Sequence, residues 1–181
     1  LAAPPLAMQR LDDIVSIHIG AVTGDAGYFL LNEKERKEWG LPQAALRPTL
    51  SRSKHLTSSL IGVREWRDLR DEGARVWMFC PTKSVSMHSA VSAYLMHGKE
   101  GGCNLEAHKI AKRDPWYRTP LPGRVDGFMS GMSKRLPFLA LRDMPGLTSS
   151  NTLYVVRFRK RVTPAAKATL GLLLLTSSVR A

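Results

Sequence analysis

From Ile14 to Val22 apolar and polar residues alternate. Val15, Ile17 and Ile19 fall on one side and Ser16 and His18 on the other, the two-residue period of a half-buried strand. Thr23-Gly24-Asp25-Ala26-Gly27 predicts a turn, because Gly and Asp tolerate positive φ, and Tyr28-Phe29-Leu30-Leu31 predicts a short second strand. Asn32 and Glu35 have the spacing of a capping box, so a helix starts there. Gly40-Leu41-Pro42 ends it: Gly takes the left-handed cap and Pro cannot continue the helix. Ser59–Val63 and Arg75–Cys80 read as strands. The charged stretch Arg64–Gly73 between them reads as an exposed loop or a short helix. Met87, Val91, Tyr94 and Leu95 recur at helical spacing within Ser84–His97, with Gly98 as the cap and a loop after it. Residues 108–124 hold three prolines and many charges and predict mostly loop. Val125–Met129, Leu136–Leu141 and Leu153–Phe158 read as strands. Thr163 and Pro164 open a last helix in the order cap, then proline. Residues 1–11 read as a linker and 12–181 as one domain. Short groups of strands with two to three helices between them make an α+β plan, built on a twisted, mainly antiparallel sheet. The regular strand–helix alternation of a doubly wound fold is missing.

Charge narrows the reading. The 181 residues carry a net +12, yet residues 1–106 hold 13 basic and 12 acidic side chains while residues 107–181 hold 14 and 3. A field this one-sided favours a polyanion, since each neutralised phosphate releases condensed counterions. Hydrophobic residues make up 44% of the chain, enough for a core. Cys80 and Cys103 make no disulfide framework and fit a reduced cytoplasm, so a cytoplasmic, nucleoid-associated location is expected. The run Leu170–Leu175 is too short to span a membrane, and no membrane partner is expected. Leu1-Ala2-Ala3-Pro4-Pro5 lacks the basic region of a secretory signal, and its start without Met reads as a piece cut from a longer protein.

The chemistry of the chain points the same way. Gly98, Gly101 and Gly102 follow a helix and match no nucleotide-binding fingerprint, and no Asn-Pro-Pro stretch is present. His18, His55, His88, His97 and His108 lack metal-ligand spacing. In the basic part the carboxylates are only Asp114, Asp126 and Asp143. No catalytic activity, metal or cofactor is therefore expected of the chain itself. What is present suits binding. Lys112-Arg113-Asp114-Pro115-Trp116-Tyr117-Arg118 interleaves cations with aromatics. Lys112, Arg113 and Arg118 could hold phosphates or reach base edges. Trp116 and Tyr117 could stack on an exposed base or brace the loop. Arg157 and Arg159 share a strand face and could follow a DNA backbone or shield a sheet edge. Ser149-Ser150-Asn151-Thr152 could donate to phosphates or bases, or cap a turn.

In their order these motifs resemble the C-terminal target-recognition domain of N6-adenine DNA methyltransferases from bacterial restriction–modification systems. The resemblance starts at Ile19-Gly20-Ala21-Val22-Thr23-Gly24 and Tyr28-Phe29-Leu30-Leu31. It continues through the acidic helix Glu33–Trp39, Leu41-Pro42, Leu46-Arg47-Pro48 and the basic Arg52-Ser53-Lys54. Arg113-Asp114-Pro115-Trp116-Tyr117, Leu136-Pro137-Phe138, Ser149–Tyr154 and Leu172–Val179 follow, with Thr176 where Asn is usual. The resemblance implies a two-part enzyme. One domain or subunit binds S-adenosylmethionine and acts on a flipped adenine. The part seen here reads double-stranded DNA, and the family's closing helices after Val179 would be missing. The implied DNA-binding residues are Thr23, Gly24, Arg52, Lys54, Lys112, Arg113, Trp116, Tyr117, Arg118, Arg142, Ser149, Ser150 and Asn151. Two other readings stay open: a specificity-subunit-like module docking on a separate methyltransferase, and a small nucleic-acid-acting enzyme such as a nuclease.

Overall fold

The computed structural model describes residues 11–131, 138–159 and 162–174. A helical turn α1 (Leu11–Ile14) leads into β1 (Val15–Ile19). The turn α2 (Ala26–Phe29) and β2 (Leu30–Leu31) follow, then α3 (Glu33–Glu38), β3 (Leu46–Leu50) and β4 (Leu60–Ile61). Next come α4 (Val63–Asp71), β5 (Trp77–Phe79), α5 (Ser89–His97) and α6 (His108–Ala111). The last elements are β6 (Gly127–Ser130), β7 (Leu139–Arg142), β8 (Thr148–Ser149), β9 (Leu153–Phe158) and α7 (Pro164–Leu173).

The α+β class and the antiparallel bias hold, but the strands form two sheets. One has five strands in the order β1-β9-β6-β7-β4, the other four in the order β2-β5-β3-β8. The pairs β4–β7 and β3–β8 are parallel; the other pairs are antiparallel. Which strands pair depends on contacts distant in sequence, so local alternation could not tell one sheet from two.

Phe128, Ala140, Leu153 and Val155 from the five-stranded sheet join Leu31, Leu46, Trp77 and Phe79 from the four-stranded sheet in the main core. Tyr28 and Tyr94 lock α2 to α5 within it. Each phenol donates to the other residue's carbonyl, at 2.8 and 2.6 Å, and the rings stack 4.6 Å apart. Their burial pushes both phenols well above the usual tyrosine range. A second, smaller core lies on the other face of the five-stranded sheet, where Leu170 and Leu174 pack on Val15, Leu139, Val156 and Phe158. Beyond that cover Ile17 and Ile19 are exposed, so only the first third of the predicted apolar face of β1 is buried.

Several local readings hold. Asn32 and Glu35 form the capping box, with Oδ1 accepting from Glu35 N and Oε2 from Asn32 N, both at 2.8 Å. Gly40 takes φ +61° before Leu41-Pro42, and Thr163 caps α7 by accepting from Ala166 N at 3.2 Å. Two readings change. Asp25 accepts from Gly27 N and Tyr28 N, so Tyr28-Phe29 close a helical turn and leave a strand of two residues. At Arg64–Gly73, where a loop or a short helix was expected, the helix forms: most of the stretch lies within α4, which buries Trp66 and Leu69 three residues apart and exposes charges around them. The Ser84–His97 helix starts later, at Ser89, and leaves Met87 exposed. Leu136 and Pro137, residues 1–10, and most of Leu172–Val179 lie outside the described residues.

Candidate nucleic-acid interface

Residues 112–124 leave α6 as a loop, passing through a cis Asp114–Pro115 bond. The backbone is fastened at three places. Arg113 donates to Val22 O at 2.6 Å and to Thr119 Oγ1 at 3.5 Å, with its guanidinium 5.6 Å from the Phe29 ring centre. Burial makes that guanidinium somewhat easier to deprotonate than a free one, though it stays charged. Trp116 plugs the core beside Tyr28 and Phe29, at ring distances of 5.6 and 6.3 Å. At the far end Arg124 pairs with Asp126 at 3.1 Å and also donates to Phe158 O.

So held, the loop forms one wall of a chain of adjoining hollows. Lys112, Arg113, Asp114 and Arg118 line the first, of about 530 Å³. The second, of about 610 Å³, shares Asp114, Arg118 and Leu121 and adds Tyr117, Lys83 and Arg47. The third, of about 240 Å³, shares Arg47 and Leu121 and adds Arg124, Arg142 and Thr148. Seven cations (Arg47, Lys83, Lys112, Arg113, Arg118, Arg124 and Arg142) thus border one groove, with Asp114 as the carboxylate among its described lining residues. Arg47, Lys83, Lys112 and Arg118 are exposed there, and Tyr117 is half-buried. An arrangement of flexible cations around an open trough attracts anions from a distance and keeps only weak internal ion pairing.

The chain from residue 4 to residue 178 matches the family described as "Type II methyltransferase M.Eco57I, C-terminal domain". The chain belongs to this family. No curated protein matches it closely.

Within this methyltransferase C-terminal domain the expected site residues divide into four groups. Lys112, Arg113, Tyr117, Arg118 and Arg142 come together at the groove, although Arg113 spends its guanidinium on the loop. Trp116 stands behind that wall, half-buried and packed against the core. Arg52 and Lys54 are exposed at a separate hollow of about 370 Å³, beside His55, Glu72 and Arg75.

Thr23, Ser149 and Ser150 are buried. Ser149 O accepts from Ala21 N at 2.7 Å, and Ser150 N donates to Leu50 O at 3.0 Å. The Ser150 hydroxyl lies 3.4 Å from Ser51 O and 2.9 Å from the Thr152 hydroxyl, which donates to Ser51 O at 2.7 Å. Gly24, at φ +86°, sits against Ile110, where a side chain would collide. Gly20-Ala21 and the serine pair form a seam where β8 of one sheet passes into β9 of the other. Asn151 and Thr152 are exposed, at the turn between them. Arg157 is half-buried, on the opposite sheet face from Ile17, Ile19 and Tyr154. Arg159 donates from Nε to Asp12 O and helps close the edge at β1.

Arg47, Lys83 and Arg124 are the groove residues that sequence reasoning passed over. Arg47 and Lys83 belong to the electrically balanced part of the chain, so its near-zero sum concealed them. Arg47 does carry a local signal, as a lone charge between the buried Leu46 and the half-buried Pro48 on β3.

Proposed function

We propose that this domain reads duplex DNA as the target-recognition part of an N6-adenine DNA methyltransferase. In this reading methyl transfer belongs to a separate catalytic domain or subunit that binds S-adenosylmethionine. The observation that carries the reading is the groove bordered by seven cations and one carboxylate. Duplex DNA offers a regular row of phosphates to such a trough, and side chains at its floor can reach base edges. The exposed Arg47, Lys83, Lys112 and Arg118 suit backbone phosphates, and the half-buried Tyr117 presents its ring beside them. Membership of a type II methyltransferase C-terminal family agrees with a role next to a catalytic unit.

A competition gel shift tests this reading. A panel of duplexes is titrated against the chain over a range of salt. Four phosphate contacts predict a slope of log K against log [salt] of roughly −3 to −4. One short site should compete at least 1000-fold better than random duplex, the order of magnitude usual for specific readers. Binding with no preference at low salt would remove sequence reading; no binding would remove DNA as the ligand.

A further inference from the structure

The smallest of the three hollows has a property the other two lack: unpaired buried donors gather around it. Arg142 Nε and Thr148 Oγ1 are buried without a hydrogen-bond partner among the described residues, and both residues line this hollow. Thr148 is 5% exposed. Arg157 Nε is also buried and unpartnered, and its guanidinium lies behind Gly123, where a Cβ would stand 3.7 Å from Nη2. Ser149 Oγ, the fourth such atom, belongs to the seam near Gly20 and lies elsewhere. A buried donor left unpaired is costly, and a cluster of them in a native fold calls for an acceptor.

The lining says which acceptor fits. Arg47, Arg124 and Arg142 converge on it, and no carboxylate and no aromatic ring stands among its described lining residues. Asp126, which could have neutralised the site, is held outside the lining and takes up Arg124 Nε. Without an aromatic platform a base has nothing to stack on. Guanidinium groups with a hydroxyl beside them complement a tetrahedral oxyanion, which accepts at every oxygen. Gly146, at φ +75° with no atom within 4 Å of its Cβ position, makes the turn that brings Thr148 to this place and leaves the mouth open.

We propose that this hollow is the seat of a single phosphate of the bound duplex, held by Arg47, Arg142 and Thr148 and backed by Arg157. The proposal rests on the DNA-reading function and assigns Arg142 to the backbone, not to a base. A seated phosphate fixes the register of the groove on the duplex, so that Lys112, Tyr117 and Arg118 meet the same step each time.

The test has two arms on the full chain. In the first, inorganic phosphate is titrated at constant ionic strength and the arginine Nε–H resonances are followed by NMR. The Arg142 and Arg157 signals should move saturably, and Thr148→Val should weaken the response several-fold. In the second, duplex affinity is measured against salt for Arg142→Gln and Arg47→Gln. Arg47 is exposed, so its variant keeps the test alive should the Arg142 variant unfold. Each should flatten the salt slope by about one while leaving the ranking of duplex sequences unchanged. Unchanged slopes with duplex binding intact would overturn the seat and leave DNA reading standing. A preference lost at one base position would make Arg142 a base reader and likewise overturn it. Saturable phosphate binding by a chain that binds no duplex would keep an oxyanion site but end its assignment to DNA.

Discussion

Two polar regions of this domain look alike in sequence and end in opposite places. Thr23, Ser149 and Ser150 are small hydrogen-bonding residues and all three are buried, the two serines in the seam between the sheets. Lys112, Tyr117 and Arg118 border the open groove. Both sets could serve DNA on residue type alone. The backbone decides between them. At the seam, Gly20 N, Ala21 N and Ser150 N all need carbonyls where β8 gives way to β9, and the Ser150 and Thr152 hydroxyls complete that network. At the groove, the loop backbone is already fastened by Arg113 and Trp116, so the neighbouring side chains are left to solvent. A polar residue is free for a ligand only where the local backbone does not need it.

Substitutions can separate the two regions, and the seam should give the largest effect. A Cβ at Gly20 would stand 2.2 Å from Ser150 O and 2.5 Å from Ser149 Oγ. Gly20→Val should cost about 3 kcal/mol in urea unfolding, as overpacking of a closed site does. Arg113→Ala comes next. It removes the bonds to Val22 O and Thr119 and the contact with Phe29. A loss of about 2 kcal/mol in unfolding free energy is expected, with weaker DNA binding following from the slack loop. If Arg113→Ala left stability untouched and lowered only DNA affinity, Arg113 would belong with the groove.

Acid should act on the seam. His55 is buried, and its Nδ1 accepts from Ser51 N at 3.2 Å, in the residue whose carbonyl takes the Ser150 and Thr152 hydroxyls. Burial first, then the charges of Lys54 and Arg52, push it down to about 4. The unfolded chain protonates this histidine below about 6.5 and the folded chain does not, so stability falls as pH drops from about 6.5 to about 4. Glu33 adds a second limb. Its bonds to Arg36 and to Trp77 Nε1 hold it at about 2, so the stability it supplies above about 4.5 is lost toward pH 2. Urea midpoints against pH should show both limbs, and His55→Gln should flatten the upper one. The smallest change in stability belongs to Arg118→Ala. It should leave the unfolding curve within about 0.5 kcal/mol and weaken duplex binding roughly five- to tenfold, with a flatter salt slope.

Much of the fold was legible because its signals are local. β9 spans the residues that alternation marks, Leu153–Phe158. Asn32 with Glu35 and Thr163 with Pro164 start helices as their types and spacing require. The failures come where a second interaction competes. Tyr28-Phe29 has strand-forming side chains, yet the Asp25 carboxylate captures two amides and winds the chain. At α4 the two buried side chains in a charged stretch left loop and short helix both open, and the structure takes the helix. The groove was half legible. Its loop wall shows as a run of mixed cations and aromatics, while Arg47 arrives from β3 and Lys83 from the turn after β5, which only the tertiary fold brings alongside.

The pairing of β1 with β9 has a further consequence, in time. Val15 faces Phe158 and Ile19 faces Tyr154, so the first strand of the five-stranded sheet waits for its last, about 140 residues away. At about 5–20 residues per second of synthesis that delay is on the order of ten seconds. Throughout it Val15, Ile17 and Ile19 lack β9, the one strand beside them among the described residues. Closing so long a loop also slows refolding of the finished chain. Expression at low temperature or with a chaperone that holds nascent strands should therefore raise the soluble yield.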